Sequence, residues 1–261
     1  AGNNRLHLAY SFELLGPVFS ASHIKKTLEH FFKIAPQGIP CWSFSNHDVI
    51  RHVSRWSAHG SSPEALAKQT AALLLSLEGS VCLFQGEELG QLETEMELSE
   101  LTDPLGIRFW PENKGRDGCR TPMSWDSNLE NAGFSEADPW LPVKNPQLER
   151  AVEQQKHKDS VLSFYREMLK FRKNSSALSG GRTVFYNSDE PVLSFSRKSD
   201  DQNVVCVFNL SKEEVSLQIE GLKDINNHPL LDAKADGEVL SLGPNGFCFF
   251  FGDLDKDIVI Q

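Results

Sequence analysis

The stretch Ile39-Pro40-Cys41-Trp42-Ser43-Phe44-Ser45-Asn46-His47-Asp48 decides the reading of this chain. Its apolar part, Ile39 to Phe44, reads as a buried strand, and its polar end sets an imidazole and a carboxylate at the strand's mouth. A second run, Gly79-Ser80-Val81-Cys82-Leu83-Phe84, ends comparably on Gln85-Gly86-Glu87-Glu88. Between them Ser62-Pro63-Glu64 opens a helix that continues through the Ala71 to Leu77 block. Upstream, Leu6 to Phe12 reads as another strand. Ser20-Ala21-Ser22-His23 then precedes a helix with Ile24, Leu28, Phe31, Phe32 and Ala35 at helical spacing, broken by Pro36, Gly38 and Pro40. Strands alternating with helices imply a parallel sheet, because parallel neighbours need a long crossover. Three such strands are too few for a closed barrel.

From Gly86 to about Leu148 neither period is sustained, and Pro, Gly, Trp and acidic residues abound. A loop this long inside a compact domain usually serves a function. Asp159-Ser160-Val161 starts a helix whose stripe is Val161, Phe164, Tyr165, Met168, Leu169 and Phe171, with Arg172-Lys173 favourably placed at its end. After Ser179-Gly180-Gly181 the pattern becomes short β runs: Thr183 to Tyr186, Val192 to Phe195, Val204 to Phe208, Val215 to Ile219 and Gly246 to Phe251. The expected fold is therefore α/β followed by all-β. Residues 1–180 form the first unit, including the 86–148 loop, and residues 181–261 an antiparallel β-sandwich.

With 39% hydrophobic and 24% charged residues, the 261-residue chain falls in the range of packed globular proteins. A net charge of -10, with no basic-aromatic block, argues against a nucleic-acid partner. No apolar stretch approaches the roughly 20 residues of a membrane helix, and Ala1 to Phe12 lacks the make-up of a signal peptide. Cys41, Cys82, Cys119, Cys206 and Cys248 are odd in number and lack metal-ligand spacing, so we expect reduced thiols, no metal site, and a cytoplasmic protein, with the periplasm as the alternative.

Three blocks carry a resemblance to a known family. They are Phe44-Ser45-Asn46-His47-Asp48, Gln85-Gly86-Glu87-Glu88-Leu89-Gly90, and Arg116-Asp117-Gly118-Cys119-Arg120-Thr121-Pro122-Met123 with Trp125. Together they resemble the C-terminal part of the α-glucosidase and oligo-1,6-glucosidase branch of glycoside hydrolase family 13, the α-amylase family. That family folds as a (β/α)8 TIM barrel with a C-terminal β domain, so the resemblance implies that the three strands are the barrel's sixth to eighth. It also implies that Asp48 is a catalytic carboxylate stabilising the transition state, that His47 binds the same glucose, and that Arg116 enters the pocket beside Asp48. No cofactor is implied, and the family's calcium ligands fall in its earlier half.

Retaining glycosidases need one carboxyl to attack the anomeric carbon and one to protonate the leaving oxygen. The family motifs for both have no counterpart here, since Asp103, Glu112, Asp117 and Asp126 lack the required context. We therefore expect part of a retaining α-glucosidase acting on maltose- or isomaltose-like α-glucoside oligosaccharides, inactive alone. Its partner would be the missing N-terminal half or a second copy, because a cut barrel exposes sheet edges. The alternatives are a non-catalytic relative used in binding or assembly, and a sucrose isomerase or glucosyltransferase of the same family.

Other residues of these blocks carry structural expectations. Asn46 should hold its turn, Arg51 anchor the loop, and Glu87 and Glu88 shape the chain after their strand. Asp117 and Arg120 are expected to pair with each other, and Phe109, Trp110, Trp125 and Trp140 to pack into the loop's own small core. His52 reads as an ordinary surface residue or one packed behind the site.

Overall fold

The computed structural model describes residues 6–255 and 258–260. In chain order, β1 (Leu8–Tyr10), α1 (Ala21–Ile34), β2 (Ile39–Trp42), α2 (His52–Arg55), α3 (Pro63–Ser76) and β3 (Ser80–Val81) make the first part. Two short helices, α4 (Pro104–Phe109) and α5 (Asn145–Leu148), interrupt the long loop, and α6 (Val161–Asn174) and α7 (Ser176–Gly180) follow it. The rest is strand: β4 (Arg182–Phe185), β5 (Val192–Lys198), β6 (Asn203–Asn209), β7 (Val215–Gln218), β8 (Leu231–Asp236) and β9 (Val239–Phe251).

The first three strands are parallel in the order β1-β2-β3, as the alternation of elements predicts. Local chemistry starts the two long crossover helices between them, and α6 after them. The Ser20 hydroxyl accepts from His23 N at 3.2 Å, Ser62 from Ala65 N at 3.1 Å, and Ser160 from Ser163 N at 3.1 Å, each satisfying an N–H that its helix leaves unpaired. Gly79 turns the chain from α3 into β3 at φ 109°, against the Pro40 carbonyl where a Cβ would collide. β3 is shorter than the expected Val81 to Phe84 run. Its ladder ends when Cys82 N reaches Trp42 O at 2.8 Å, and the chain then turns through Gly86 at φ 84°.

The six later strands are hydrogen-bonded into one antiparallel sheet, ordered β4-β5-β6-β9-β7 with β8 also on β9, which curls so that β6 and the end of β9 face the start of β9. One strand makes this possible. Phe247 to Phe251 of β9 pair with β6, while Val239 to Leu242 lie between β7 and β8. An irregularity at Asp232, where φ is 43°, bends β8 along it.

Both faces of this sheet are buried, with the period of two that a strand dictates. Val204, Cys206, Phe208, Phe247 and Phe249 share a core with α1, α3 and α6, whereas Val205, Val207, Cys248 and Phe250 pack with Ile219, Leu240 and Leu242. Each buried Phe or Val is worth roughly 1.5–3 kcal/mol, so the sheet and the α/β part stabilise one another. Buried Arg197 stitches them together, donating to Ser76 O at 2.6 Å and Gly181 O at 2.8 Å. In α6 Val161, Phe164, Tyr165 and Met168 face this core, while Leu169 rotates out and is exposed, contrary to the expected stripe.

Candidate functional site

The site is built where the parallel strands end. Beyond β2 the Ser43 hydroxyl donates to Ser45 O at 2.6 Å, and Asn46 Oδ1 accepts from Asp48 N at 2.8 Å. That side-chain turn holds the backbone as expected of Asn46 and leaves His47 and Asp48 facing outward. Tyr10, at the end of β1, brings its hydroxyl within 3.4 Å of Asn46 Nδ2.

Three side chains converge on Asp48. His47 Nε2 lies 3.4 Å from Oδ2, while Arg116 Nη1 and Arg120 Nη2 reach Oδ1 at 3.2 and 3.0 Å. Arg120 Nε also donates to His47 O at 2.7 Å. Partial desolvation works to raise the Asp48 carboxyl, but the His47 imidazole and the two guanidinium donors outweigh it and hold it below its ordinary value.

Arg116 is itself clamped. Buried Asp103 accepts from Arg116 Nε at 2.8 Å, from Nη2 at 3.0 Å and from the backbone N at 2.9 Å. This forked pairing fixes the guanidinium plane. Despite opposing burial, Arg116 together with the Leu105 N–H keeps Asp103 far below the ordinary carboxylate range, and Asp103 in turn raises Arg116. Asp117 is buried and accepts from Thr102 N at 2.6 Å, Asp103 N at 2.8 Å and Thr102 Oγ1 at 3.2 Å, locking the loop that carries the clamp.

Arg51 anchors three segments at once, in line with its expected role. It donates to Gln85 O at 2.8 Å and Cys119 O at 3.0 Å, while its backbone N–H meets Glu93 Oε2 at 2.9 Å. Its guanidinium lies over the Phe84 ring.

Several expectations need correction. Asp117 and Arg120 do not pair: burial consumes Asp117 in backbone N–H bonds, and Arg120 reaches Asp48 instead. Of the two readings offered for His52, the surface one fails and the one packed behind the site holds. His52 is fully buried, with Nδ1 2.9 Å from the Ser45 hydroxyl, Nε2 3.0 Å from Thr70 Oγ1, and Glu87 3.5 Å away. Of the four loop aromatics only Trp110 packs on a loop core, with Met96, Leu101 and Leu141, whereas Phe109, Trp125 and Trp140 are exposed.

Glu87 shapes its turn by accepting from Phe84 N at 2.9 Å, and Glu88 is half-buried beside it. Arg120, Asp103 and Tyr10 were not expected near Asp48. Arg116 and Arg120 flank one helical turn over Asp117–Cys119, so their spacing of four was the available signal. Asp103 before Pro104 had the signature of a helix start, but nothing in it pointed to Arg116.

Among the described residues no group of three or more His, Cys, Asp or Glu stands together that could hold a metal. The five cysteines are free thiols, four of them buried. No described helix is long and apolar enough to cross a membrane.

Comparison with known proteins places this geometry in context. The description "Alpha amylase, catalytic domain" matches residues 4–181. A probable alpha-glucosidase of Rhizobium meliloti (strain 1021) is 43% identical over 243 residues, which are 92% of this chain and 44% of the relative. An oligo-1,6-glucosidase of Heyndrickxia coagulans is 31% identical over 220 residues, 76% of this chain and 39% of the relative. Among solved structures, the alpha-glucosyl transfer enzyme XgtA superimposes with a TM-score of 0.87 at 41% identity, over 96% of this chain and 47% of that one. The trehalulose synthase MutB from Pseudomonas mesoacidophila MX-45 gives 0.74 at 26%, over 90% and 47%. The chain thus spans under half the length of these relatives.

Proposed function

Because the chain belongs to the α-amylase family of glycoside hydrolases, we propose that it supplies the transition-state side of the glucose pocket in a retaining α-glucosidase. The observation that carries this reading is the cradle of His47, Arg116 and Arg120 around Asp48. Retaining hydrolysis passes through an oxocarbenium-like transition state, and a carboxylate already ionised and fixed in place lowers its energy without reorganising. Asp48 is that carboxylate. His47 and Arg116 donate to hydroxyls of the same glucose, and Asp103 keeps Arg116 from drifting.

The attacking and proton-donating carboxyls come, in this reading, from polypeptide outside this chain. Asp103 is no substitute, because both its oxygens are committed to Arg116. β1, β2 and β3 then act as the sixth to eighth strands of the barrel, residues 1–180 as its last part and residues 181–261 as the β domain. The remaining barrel half, or else a second copy, covers the outer edge of β1, a role supported by the exposed Leu6, Leu8, Phe12 and Val18. The free thiols support a cytoplasmic setting.

The substrates are terminal α-linked glucosides of the maltose or isomaltose type, in keeping with relatives named alpha-glucosidase and oligo-1,6-glucosidase. The test is turnover of maltose, isomaltose and an aryl α-glucoside by the repurified chain and by the assembled enzyme. The chain is expected to be inactive and the assembled enzyme active. Turnover by the chain alone would place the catalytic pair within it. The likeness to a glucosyl transfer enzyme favours a second reading, transfer to a sugar acceptor. The ratio of free glucose to new disaccharide among the products decides between the two.

A further inference from the structure

A cavity of about 560 Å³ opens between the 99–102 and 131–148 segments of the long loop, and no residue of the Asp48 cluster lines it. We propose that it is a second docking site, for the outer units of an α-glucan chain, with Trp140 as the surface on which a glucosyl ring stacks. The ligand class rests on the α-glucosidase reading above.

The size fits the range of about 300–1,000 Å³ of small-molecule sites. Trp140 is 68% exposed, and Pro139 and Pro142 restrict the backbone that presents it. A pyranose offers one apolar C–H face and a rim of hydroxyls, and the wall answers both. The indole meets the face, while the Asp138 carboxylate and Ser99 hydroxyl beside it make no hydrogen bond or ion pair among the described residues. Asn131 spends its Nδ2 on Ser135 O and Ala137 O, both at 3.1 Å, which leaves its Oδ1 for a hydroxyl.

No Lys, Arg or His lines the cavity, and Lys144 beside it is already paired with the lining Glu100 at 2.6 Å, which disfavours an anionic ligand. Asn131 and Ala132 hold the wall in left-handed backbone, φ 49° and 56°, a strain that tends to persist where shape serves binding. Thr102 lines the cavity and donates to Asp117, while the next residue, Asp103, clamps Arg116. The docking surface and the glucose pocket therefore share one locked segment.

Calorimetric titration of the 261-residue chain with maltotetraose and with isomaltotetraose tests this, with cellotetraose as the β-linked comparison. Binding of an α-linked tetrasaccharide is expected to weaken about tenfold in Trp140→Ala, and less in Asp138→Asn. Loss in Asp48→Ala but not in Trp140→Ala would overturn the inference while leaving the α-glucosidase reading intact. No binding by the folded wild-type chain at 20-fold the concentration of a typical millimolar site (about 20 mM) would overturn it as well. So would equal binding of cellotetraose, or a Trp140→Ala effect confined to self-association in light scattering.

Discussion

His47 stands 3.4 Å from the Asp48 carboxylate, and His52 stands 3.5 Å from the Glu87 carboxyl. Partner types and distances match, yet the charges do not. The first pair lies in the open, where guanidinium donors add to the imidazole and Asp48 stays ionised. The second is enclosed. Burial above all, then the Arg55 and Arg51 charges, pushes His52 down to about 3, while burial drives Glu87 up to about 8 against the Phe84 N–H and Arg51. A few residues apart, the same chemistry keeps a carboxylate charged in one place and neutral in the other, and solvent access makes the difference.

The largest effect expected from breaking the open pair is on rate. Asp48→Ala in the assembled enzyme should lower kcat on the order of 10²-fold or more, since it removes charge stabilisation present only in the transition state. Steady-state kinetics on an aryl α-glucoside reads this directly, and an unchanged kcat in a folded variant would end the assignment.

A smaller effect follows from loosening the clamp behind the pair. Asp103→Asn frees Arg116 without touching substrate, so kcat/KM should fall about tenfold with part of the loss in KM. Arg116→Ala should weaken binding and rate together. If Asp103→Asn behaves like wild type, Arg116 holds its place without the clamp.

The buried pair governs stability rather than rate. Below pH 4.5 the unfolded chain also protonates Glu87, so neutral Glu87 costs nothing there; between about 4.5 and 8 only the folded chain keeps the proton, and stability falls as pH rises. His52 acts oppositely. Between about 3 and 6.5 only the unfolded chain binds its proton, and stability falls as pH drops. Where the windows overlap the slopes cancel, which leaves a plateau from 4.5 to 6.5 and a decline above it. The decline should approach 1.4 kcal/mol per pH unit for one proton, about the value of a single pKa unit. In urea unfolding of the chain, Glu87→Gln should flatten this alkaline limb and, with the cancellation gone, extend the acid limb up to about 6.5. A limb that persists unchanged in Glu87→Gln would assign it to other groups.

Much of this architecture was legible because its signals are local. Ser20, Ser62 and Ser160 announced their helices, and the alternation of elements gave the parallel order. β8 was missed because Leu231-Asp232-Ala233-Lys234-Ala235-Asp236 is half charged and carries one large apolar residue, so pairing with β9 holds it rather than burial. The single sheet was hidden for a related reason: Gly243-Pro244-Asn245-Gly246 reads as a turn, yet β9 runs through it. At the site, Asp48, His47 and Arg116 stood in recognisable motifs. Arg120 stood in the same block as Arg116 but was expected to pair with Asp117, the nearer carboxylate in sequence, and only the fold shows Asp117 buried and Arg120 on Asp48. His52 and Glu87 meet across 35 residues of chain, a contact no spacing rule reveals.

The most direct test is a 13C NMR titration of the Asp48 and Glu87 carboxyl carbons in the folded chain, with His47 and His52 ring signals followed in the same samples. Asp48 should titrate below 3.8 and Glu87 near 8, with the His52 ring neutral down to about pH 3. An Asp48 carboxyl still protonated well above 3.8, or a Glu87 that ionises near 4.5, would contradict the picture of a charged cradle backed by a neutral buried pair.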